Sequence, residues 1–302
     1  MEIGFVGLGK MGMNMVERLR RDSHKIVAFD LDAAKLREVS SFGAHGVSSL
    51  RDLVAGLAAP RGVWVMVPAG EPTDTTINQL AQLLSPGDTI IDGGNTNFHD
   101  DVRRAAELAE KKLNHLDAGT SGGIWGLKDG YCLMIGGERE MYRRYEPIFK
   151  TLAPEDGYGF VGPHGAGHYV KMIHNGIEYG LMQAYAEGFE AMHKSAYGLA
   201  LASIAKLWGR GSVVRSWLLK LTADALEKNP GLQHIKGYVE DSGEGRWTVL
   251  DALDNEVAMP IIAMSLFARF RSRADRGAEG TFGEKLLAAL RSEFGGHAVV
   301  KE

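Results

Sequence analysis

Within its first dozen residues the chain runs from an apolar stretch, Ile3-Gly4-Phe5-Val6, into Gly7-Leu8-Gly9-Lys10-Met11-Gly12 and on into an amphipathic segment. Gly7 permits a tight turn, Gly9 lets backbone approach a pyrophosphate, and Gly12 lets the next helix pack against the strand. The first N–H groups of that helix would then bind phosphate oxygens. Taken alone, the glycines fit a plain strand–helix turn equally well. Their context decides for a dinucleotide-binding βαβ unit, because a second apolar run, Lys25–Phe29, ends at Asp30, 23 residues after Gly7.

Asp30 also favours NAD over NADP, since a carboxylate there accepts from ribose hydroxyls and repels a 2′-phosphate. Asp32 adds a second like charge, or simply caps the helix that starts at Ala33. Leu31 offers no guanidinium, although Lys35 and Arg37 stand a turn away. The expected cofactor-binding set is Gly7, Leu8, Gly9, Lys10, Met11, Gly12 and Asp30, with Val67, Pro68 and Asn95 further along.

The first half alternates short apolar runs with amphipathic stretches. Strands are expected at Ile3–Val6, Lys25–Phe29, Gly62–Val67, Thr89–Asp92, His115–Asp117 and Cys132–Ile135. Helices are expected at Met11–Arg21, Ala33–Phe42, Ser49–Gly56, Thr73–Leu84, His99–Lys112 and Glu140–Leu152. Six strands separated by helices read as βαβ units on a parallel sheet. After Gly167 the pattern turns helical, with helices at His168–Ser195, Leu199–Trp208, Val213–Glu227, Leu250–Arg273 and Gly283–Phe294. Breaks fall at Gly209-Arg210-Gly211, Pro230-Gly231 and Asp241–Gly245. The change of period near Gly162–Gly167 divides the chain into a Rossmann-type α/β domain, 1–165, and an all-α domain, 166–302.

Composition narrows the function. A formal charge of −4 gives no field that attracts nucleic acid or an anionic membrane. The single cysteine, Cys132, excludes an intramolecular disulfide and a thiolate zinc cluster. No metal is expected to be required. The N-terminus lacks a signal-peptide pattern. The apolar stretch Met259–Ala268 falls short of the ~20 residues a membrane span needs. A cytoplasmic protein without membrane or nucleic-acid partners is expected.

The sharper chemistry lies on the first helix of the second half. Lys171, His174, Asn175 and Glu178 follow at i, i+3, i+4 and i+7 and share one face. Val170, Met172, Ile173, Ile177, Leu181 and Met182 make the rest of that helix apolar, so it should be buried and its polar stripe satisfied internally or turned to a cavity. A desolvated lysine and glutamate suit paired acid–base work; a structural ion pair with a core histidine fits the same spacing. Ile90-Ile91-Asp92-Gly93-Gly94-Asn95 and Asp117-Ala118-Gly119-Thr120-Ser121-Gly122-Gly123 each end a strand where parallel sheets bind ligands. They would bring Asn95 and Ser121 to one edge.

With these segments in view the chain resembles the 6-phosphogluconate dehydrogenases of the short variety, within the β-hydroxyacid dehydrogenase superfamily. The resemblance covers nearly the whole length. It rests on G-L-G-K-M-G, I-D-G-G-N, S-G-G, V-K-M-I-H-N-G-I-E-Y-G and the tail R-S-E-F-G-G-H. It implies oxidative decarboxylation of an anionic sugar acid, with Lys171 as the base at the 3-hydroxyl and Glu178 as the acid that protonates the enediol. Asn95, Ser121, Gly122, Gly123, His174, Asn175 and Tyr179 match positions that hold the sugar acid, and Arg269, Arg291 and His297 match substrate or phosphate positions. Arg271, Arg273 and Arg276 read as surface residues.

Two features depart from the family pattern. The usual G-Q-K-G-T-G-K-W loop is shortened to Ser242-Gly243-Glu244-Gly245-Arg246-Trp247, which lacks the lysine and threonine that contact phosphate in longer members. Ile124 follows S-G-G in place of glutamate. The resemblance also implies a homodimer or higher oligomer in which the tail reaches a neighbouring subunit's site. The leucine stripe Leu286, Leu287 and Leu290 would equally need a covering surface. Two other readings share the fold: a β-hydroxyacid dehydrogenase or reductase acting without decarboxylation, and a non-catalytic dinucleotide-binding module. Glu178 and the arginine–histidine tail argue against the first, and the four-residue polar stripe against the second.

Overall fold

The structure is a computed structural model and describes residues 1–274 and 279–300. The chain forms two compact units, Met1–Lys171 and Met172–Glu302. In the first, β1 (Glu2–Val6), α1 (Lys10–Arg21), β2 (Lys25–Phe29), α2 (Ala33–Ser41), β3 (His45–Val47), α3 (Leu50–Ala55), β4 (Gly62–Val65), α4 (Glu71–Leu83), β5 (Thr89–Asp92), α5 (Phe98–Glu110) and β6 (Asn114–Ser121) follow in strict order. A 3₁₀ turn (Gly123–Trp125) and α6 (Gly126–Asp129) lead to β7 (Cys132–Gly137), α7 (Arg139–Leu152) and β8 (Tyr158–Gly162).

The strands make one sheet in the order β3-β2-β1-β4-β5-β6-β7-β8. Alternation along them feeds two apolar layers. Ile3, Phe5 and Trp64 face one side with Tyr145 and Phe149 of α7, whereas Val63 and Val65 face the other with Leu53, Ile77 and Leu80. Both faces are covered, as a parallel sheet requires.

The expected all-parallel sheet is corrected at one pair: β6 and β7 run antiparallel, with Ser121 opposite Cys132. Only the 3₁₀ turn and α6 lie between them, which is too short for a crossover back to a parallel partner. Two strands were also missed in the sequence. β3 is three residues long with only Val47 buried, and β8 is glycine-containing and half exposed. Edge strands of this kind show no clean alternation.

Helix α8 (Ala166–His193) passes through the division between the units. The second unit continues with α9 (Leu201–Trp208), α10 (Trp217–Lys228), α11 (Glu244–Asp254), α12 (Pro260–Ala274) and α13 (Phe282–Gly295). The single helix expected over Leu250–Arg273 is two, because α11 ends at Asn255 and Pro260 opens α12. Ser216 caps α10 by accepting from Leu219 N–H, so that helix starts later than its apolar pattern suggested. Thr281 and Glu284 form a capping box at the head of α13. Among the described residues no helix is long and apolar enough to cross a membrane.

Candidate active site

The first unit holds the expected cofactor turn. Gly7 has φ +95°, and a side chain there would collide with the Met66 carbonyl; one at Gly12 would collide with the Gly7 carbonyl, whereas Gly9 faces open space. Gly9 is the N-cap of α1 and no side chain caps that end, so its leading amides point outward. Beside the turn lies a cleft of 390 Å³ whose walls include Gly9, Lys10, Asn14, Lys35 and Ile124. These features fit a bound pyrophosphate.

Asp30 closes β2 as expected and is already engaged. It accepts from Leu8 N–H at 2.6 Å and from Asp32 N–H at 2.9 Å, and Lys35 Nζ lies 3.7 Å away. Asp32 accepts from Ala34 N–H at 2.8 Å, which makes it the cap of α2. Val67 and Pro68 follow β4. Val67 lies between the cofactor turn and the next loop, within 3.0 Å of where a side chain would stand on either Gly7 or Gly94. Asn95 follows β5 on that loop.

β6 pairs Asp117 with Asp92 and runs on to Ser121, and Gly122 and Gly123 both take positive φ. Lys171 is on the first turns of α8, packed so closely on β6 that a Cβ on Gly119 would lie 2.6 Å from its own. Cys132, across the ladder from Ser121, feels the lysine: burial raises the thiol's pKa and Lys171 opposes the rise.

Asp117 reaches α8 from below. Its Oδ1 accepts from Gly165 N–H at 2.8 Å and its Oδ2 from His168 N–H at 3.0 Å, so a strand carboxylate neutralises the positive end of the helix. Around it the fold gathers side chains that no sequence spacing had joined. His115, Asp117 and His164 form one group of potential ligand atoms, and Asp92, Asp101 and His168 another. The Asp92 carboxylate is held by Thr96 Oγ1 at 2.8 Å and Arg104 Nη1 at 3.0 Å. Burial lowers His115 well below its ordinary pKa, and the neighbouring His164 and His168 add to the effect.

The second unit holds the remaining residues of the stripe. His174 Nδ1 lies 2.9 Å from Asn175 Oδ1, and Asn175 Nδ2 donates to Glu244 Oε1 at 2.6 Å. Glu244 comes from the shortened loop and is buried, and its Oε2 has no partner among the described residues. Sequence reading had noted this loop only for what it lacks. α11 seats here because its glycine accepts a ring: a side chain on Gly245 would collide with Tyr179. The sequence expectation of a fully buried α8 is corrected, since Met172 and Met182 are buried but Val170, Ile177 and Leu181 are exposed.

Tyr179, Arg269, Arg291 and His297 come together. Arg269 is 2% exposed, lies 3.3 Å above the Tyr179 ring and donates to the Glu240 carbonyl at 3.2 Å. Burial lowers its pKa, and Arg291 adds to that while Tyr179, Glu178 and Asp241 oppose it. Burial, then the charges of Arg291 and Arg269, also lower His297. Arg291 and His297 therefore lie beside Arg269 within their own chain. The leucine stripe explains it: Leu286, Leu287 and Leu290 are buried within the chain and turn Arg291 inward. Arg273 is likewise no free surface residue, being paired with Asp241 at 2.8 Å; Arg271 is exposed and reaches Glu284 at 3.4 Å. Arg276 lies outside the described residues.

Comparison with known proteins agrees with this layout. Residues 2–162 match the NAD binding domain of 6-phosphogluconate dehydrogenase, and residues 167–299 match the 6-phosphogluconate dehydrogenase C-terminal domain. The chain is 45% identical to YqeC of Bacillus subtilis over the full length of both. It is 43% identical over 304 residues to the NAD(+)-dependent, decarboxylating 6-phosphogluconate dehydrogenase of Haloferax volcanii, covering 100% of this chain and 99% of that one. Among solved structures, Plasmodium falciparum 6-phosphogluconate dehydrogenase, described with NADP+ and with 6-phosphogluconate, superposes with a TM-score of 0.82 at 27% identity. That match covers 97% of this chain and 70% of the other.

Proposed function

The chain belongs to the 6-phosphogluconate dehydrogenase family, and from that footing we propose that it oxidises 6-phosphogluconate with NAD and releases carbon dioxide, leaving ribulose 5-phosphate. One observation carries the reading: a continuous helix bears Lys171, His174, Asn175 and Glu178, and the unit it enters holds a buried cation cluster. We take residues 1–165 as the dinucleotide-binding domain and 166–302 as the domain for substrate and for assembly into a homodimer or higher oligomer.

The β1–α1 turn, Val67, Pro68 and Asn95 hold the dinucleotide, and Asp30 reads its ribose. Bound NAD supplies the acceptor for the hydride that leaves C3 of the sugar acid. Lys171 takes the proton of the 3-hydroxyl as that carbon becomes a carbonyl. Its ammonium then faces the 3-keto oxygen and stabilises the electrons left behind when the carboxylate departs as carbon dioxide. Glu178 gives its proton to the carbon that lost the carboxylate, and release of the proton held by Lys171 with reprotonation of Glu178 restores both groups. Asn95, Ser121, Gly122, Gly123, His174, Asn175 and Tyr179 orient the sugar acid. Arg269 and Arg291 supply positive charge to an anionic substrate that an acidic protein would otherwise repel, and His297 beside them offers a hydrogen bond.

The test mixes the protein with NAD and 6-phosphogluconate and follows NADH absorbance together with carbon dioxide release. Both should appear in equal amounts. Hydride transfer without carbon dioxide would assign the chain to the non-decarboxylating relatives. Glu244 adds a buried carboxylate to the same unit as the cations, so gluconate is run beside the phosphorylated acid.

A further inference from the structure

His168 stands one turn before Lys171 on α8, and nothing in the chemistry above uses it. Its ring is buried, with Nδ1 2.6 Å from Asp101 Oδ2 and Nε2 3.0 Å from the Gly94 carbonyl oxygen. A carbonyl oxygen only accepts, so Nε2 carries a proton and donates it. Asp101, fully buried on α5, holds the opposite ring nitrogen and so fixes both the orientation of the ring and the site of that proton. A carboxylate behind a histidine serves the same purpose where the ring binds a metal.

The Gly94 peptide is consequently gripped from both sides. Its N–H donates to Asp92 Oδ1 at 3.0 Å, and its carbonyl accepts from His168. Arg104 and Thr96 lock Asp92 in turn. The next residue is Asn95. On its backbone side His168 is tied to β6 through Asp117 Oδ2 at 3.0 Å, and the Lys171 turn is pressed on Gly119 of the same strand. One residue thus links the loop carrying Asn95 to the helical turn carrying Lys171. Held at both ring nitrogens and at its backbone N–H, His168 has little freedom to shift.

We propose that His168, held by Asp101, is a positioning residue for the reaction: it fixes the Gly94–Asn95 peptide against the turn of α8 that bears Lys171. The pair sets the spacing between the residue that contacts cofactor and substrate and the residue that takes the proton. This rests on the roles assigned above to Asn95 and Lys171. Misplacing reacting groups by ~1 Å costs about 10²-fold in rate, so loss of the link should fall on kcat, with the affinity for NAD nearly kept.

The full chain is prepared as His168→Leu, His168→Gln and Asp101→Leu. In His168→Leu, kcat should drop by about 10²-fold while KM for NAD stays within about threefold. His168→Gln keeps an N–H able to reach Gly94 and should recover at least about a tenth of the parent kcat. Asp101→Leu should fall between the two. Amide hydrogen exchange supplies a readout independent of turnover: Gly94, Asn95 and Thr96 should exchange faster in the leucine variants while β1 and β4 remain protected. Should His168→Leu fail to fold, the glutamine and Asp101 variants carry the test alone. The proposal is overturned if these variants keep parental kcat, or if kcat, NAD affinity and sheet protection all fall together. If instead the parent itself fails to oxidise the sugar acid, the assigned function fails, and the exchange data still report whether His168 holds the loop.

Discussion

Asp117 Oδ2 accepts the backbone N–H of His168 at 3.0 Å, so a fully buried strand carboxylate caps the helix on which the proposed acid–base residues lie. Both of its oxygens are used, the other by Gly165 N–H. Asp117→Ala would leave two buried amides without an acceptor, and charged hydrogen bonds of this kind are each worth about 2 kcal/mol. Chemical denaturation should show a loss of about 3 kcal/mol or more, and Asp117→Asn a smaller one. An unchanged midpoint in the alanine variant would contradict the capping role.

Lys171 and Glu178 lie two turns apart on α8, and their proposed tasks come at different steps. Lys171→Met should abolish oxidation and decarboxylation together, because the 3-hydroxyl proton then has no acceptor. Glu178→Gln should lower turnover by about 10²–10⁴-fold with substrate affinity changed far less. Turnover of Glu178→Gln within a few-fold of the parent would remove it as the acid.

Cofactor choice should follow Asp30 and not Asp32. NAD should be used at least about tenfold more efficiently than NADP, since repulsion of a 2′-phosphate by the Asp30 carboxylate need exceed only ~1.4 kcal/mol for that ratio. Asp30→Ser with Leu31→Arg should narrow that ratio and also weaken NAD, because the Leu8 amide loses its acceptor. Asp32→Ala should cost about 1 kcal/mol of stability as a lost cap and leave the ratio alone. Steady-state kinetics with both cofactors separates these effects.

Stability should fall as pH rises through the alkaline range, and His168 sets the sign. Burial pulls its imidazole down, but Asp101 outweighs that, with Asp92 and Asp117 assisting, and raises it from 6.5 to about 9. Arg104, from the same helix as Asp101, His115 of β6 and His164 are further titratable groups in this cluster. A histidine raised in the fold stabilises fully below its unfolded value and loses that contribution as pH passes the folded one. Asp101, raised by burial to about 7 against the pull of His168, acts in the same direction at lower pH. Melting temperature should therefore drop between pH 6.5 and 9 more steeply in the parent than in His168→Gln. Parallel curves would refute the linkage.

Assembly should depend on the outward faces of α8, α11 and α12. Ile177, Leu181, Leu253, Ile261 and Met264 are all exposed on the single chain, an apolar grouping that soluble monomers rarely display. Light scattering should find a homodimer or larger, and Ile261→Asp with Met264→Asp should shift it toward monomer. A fully active monomeric parent would rule out the assembly.

The chain's local order was legible in its residues. Gly7, Gly9 and Gly12 act within one turn of backbone, the alternation of Ile3 and Phe5 names a sheet face, and the spacing of Lys171 through Glu178 follows from helical geometry alone. Each is a property of a few neighbouring residues, so sequence by itself determined the Rossmann-type first unit, the helical second unit and the polar stripe. Tertiary structure decided what lies across long separations. The reversal of β7 came from a connection too short to cross over, and the splitting of one expected helix from Pro260 and the cap at Asn255. His168 meets Asp101 67 residues away, and Asn175 meets Glu244 69 residues away; neither pairing has a local signature. Nor could the sequence tell that burying Leu286, Leu287 and Leu290 within the chain turns Arg291 toward Arg269 and Tyr179. A side chain's partner depends on which backbones approach closely enough, and Gly119 against Lys171 and Gly245 against Tyr179 are contacts that only the packed chain brings about.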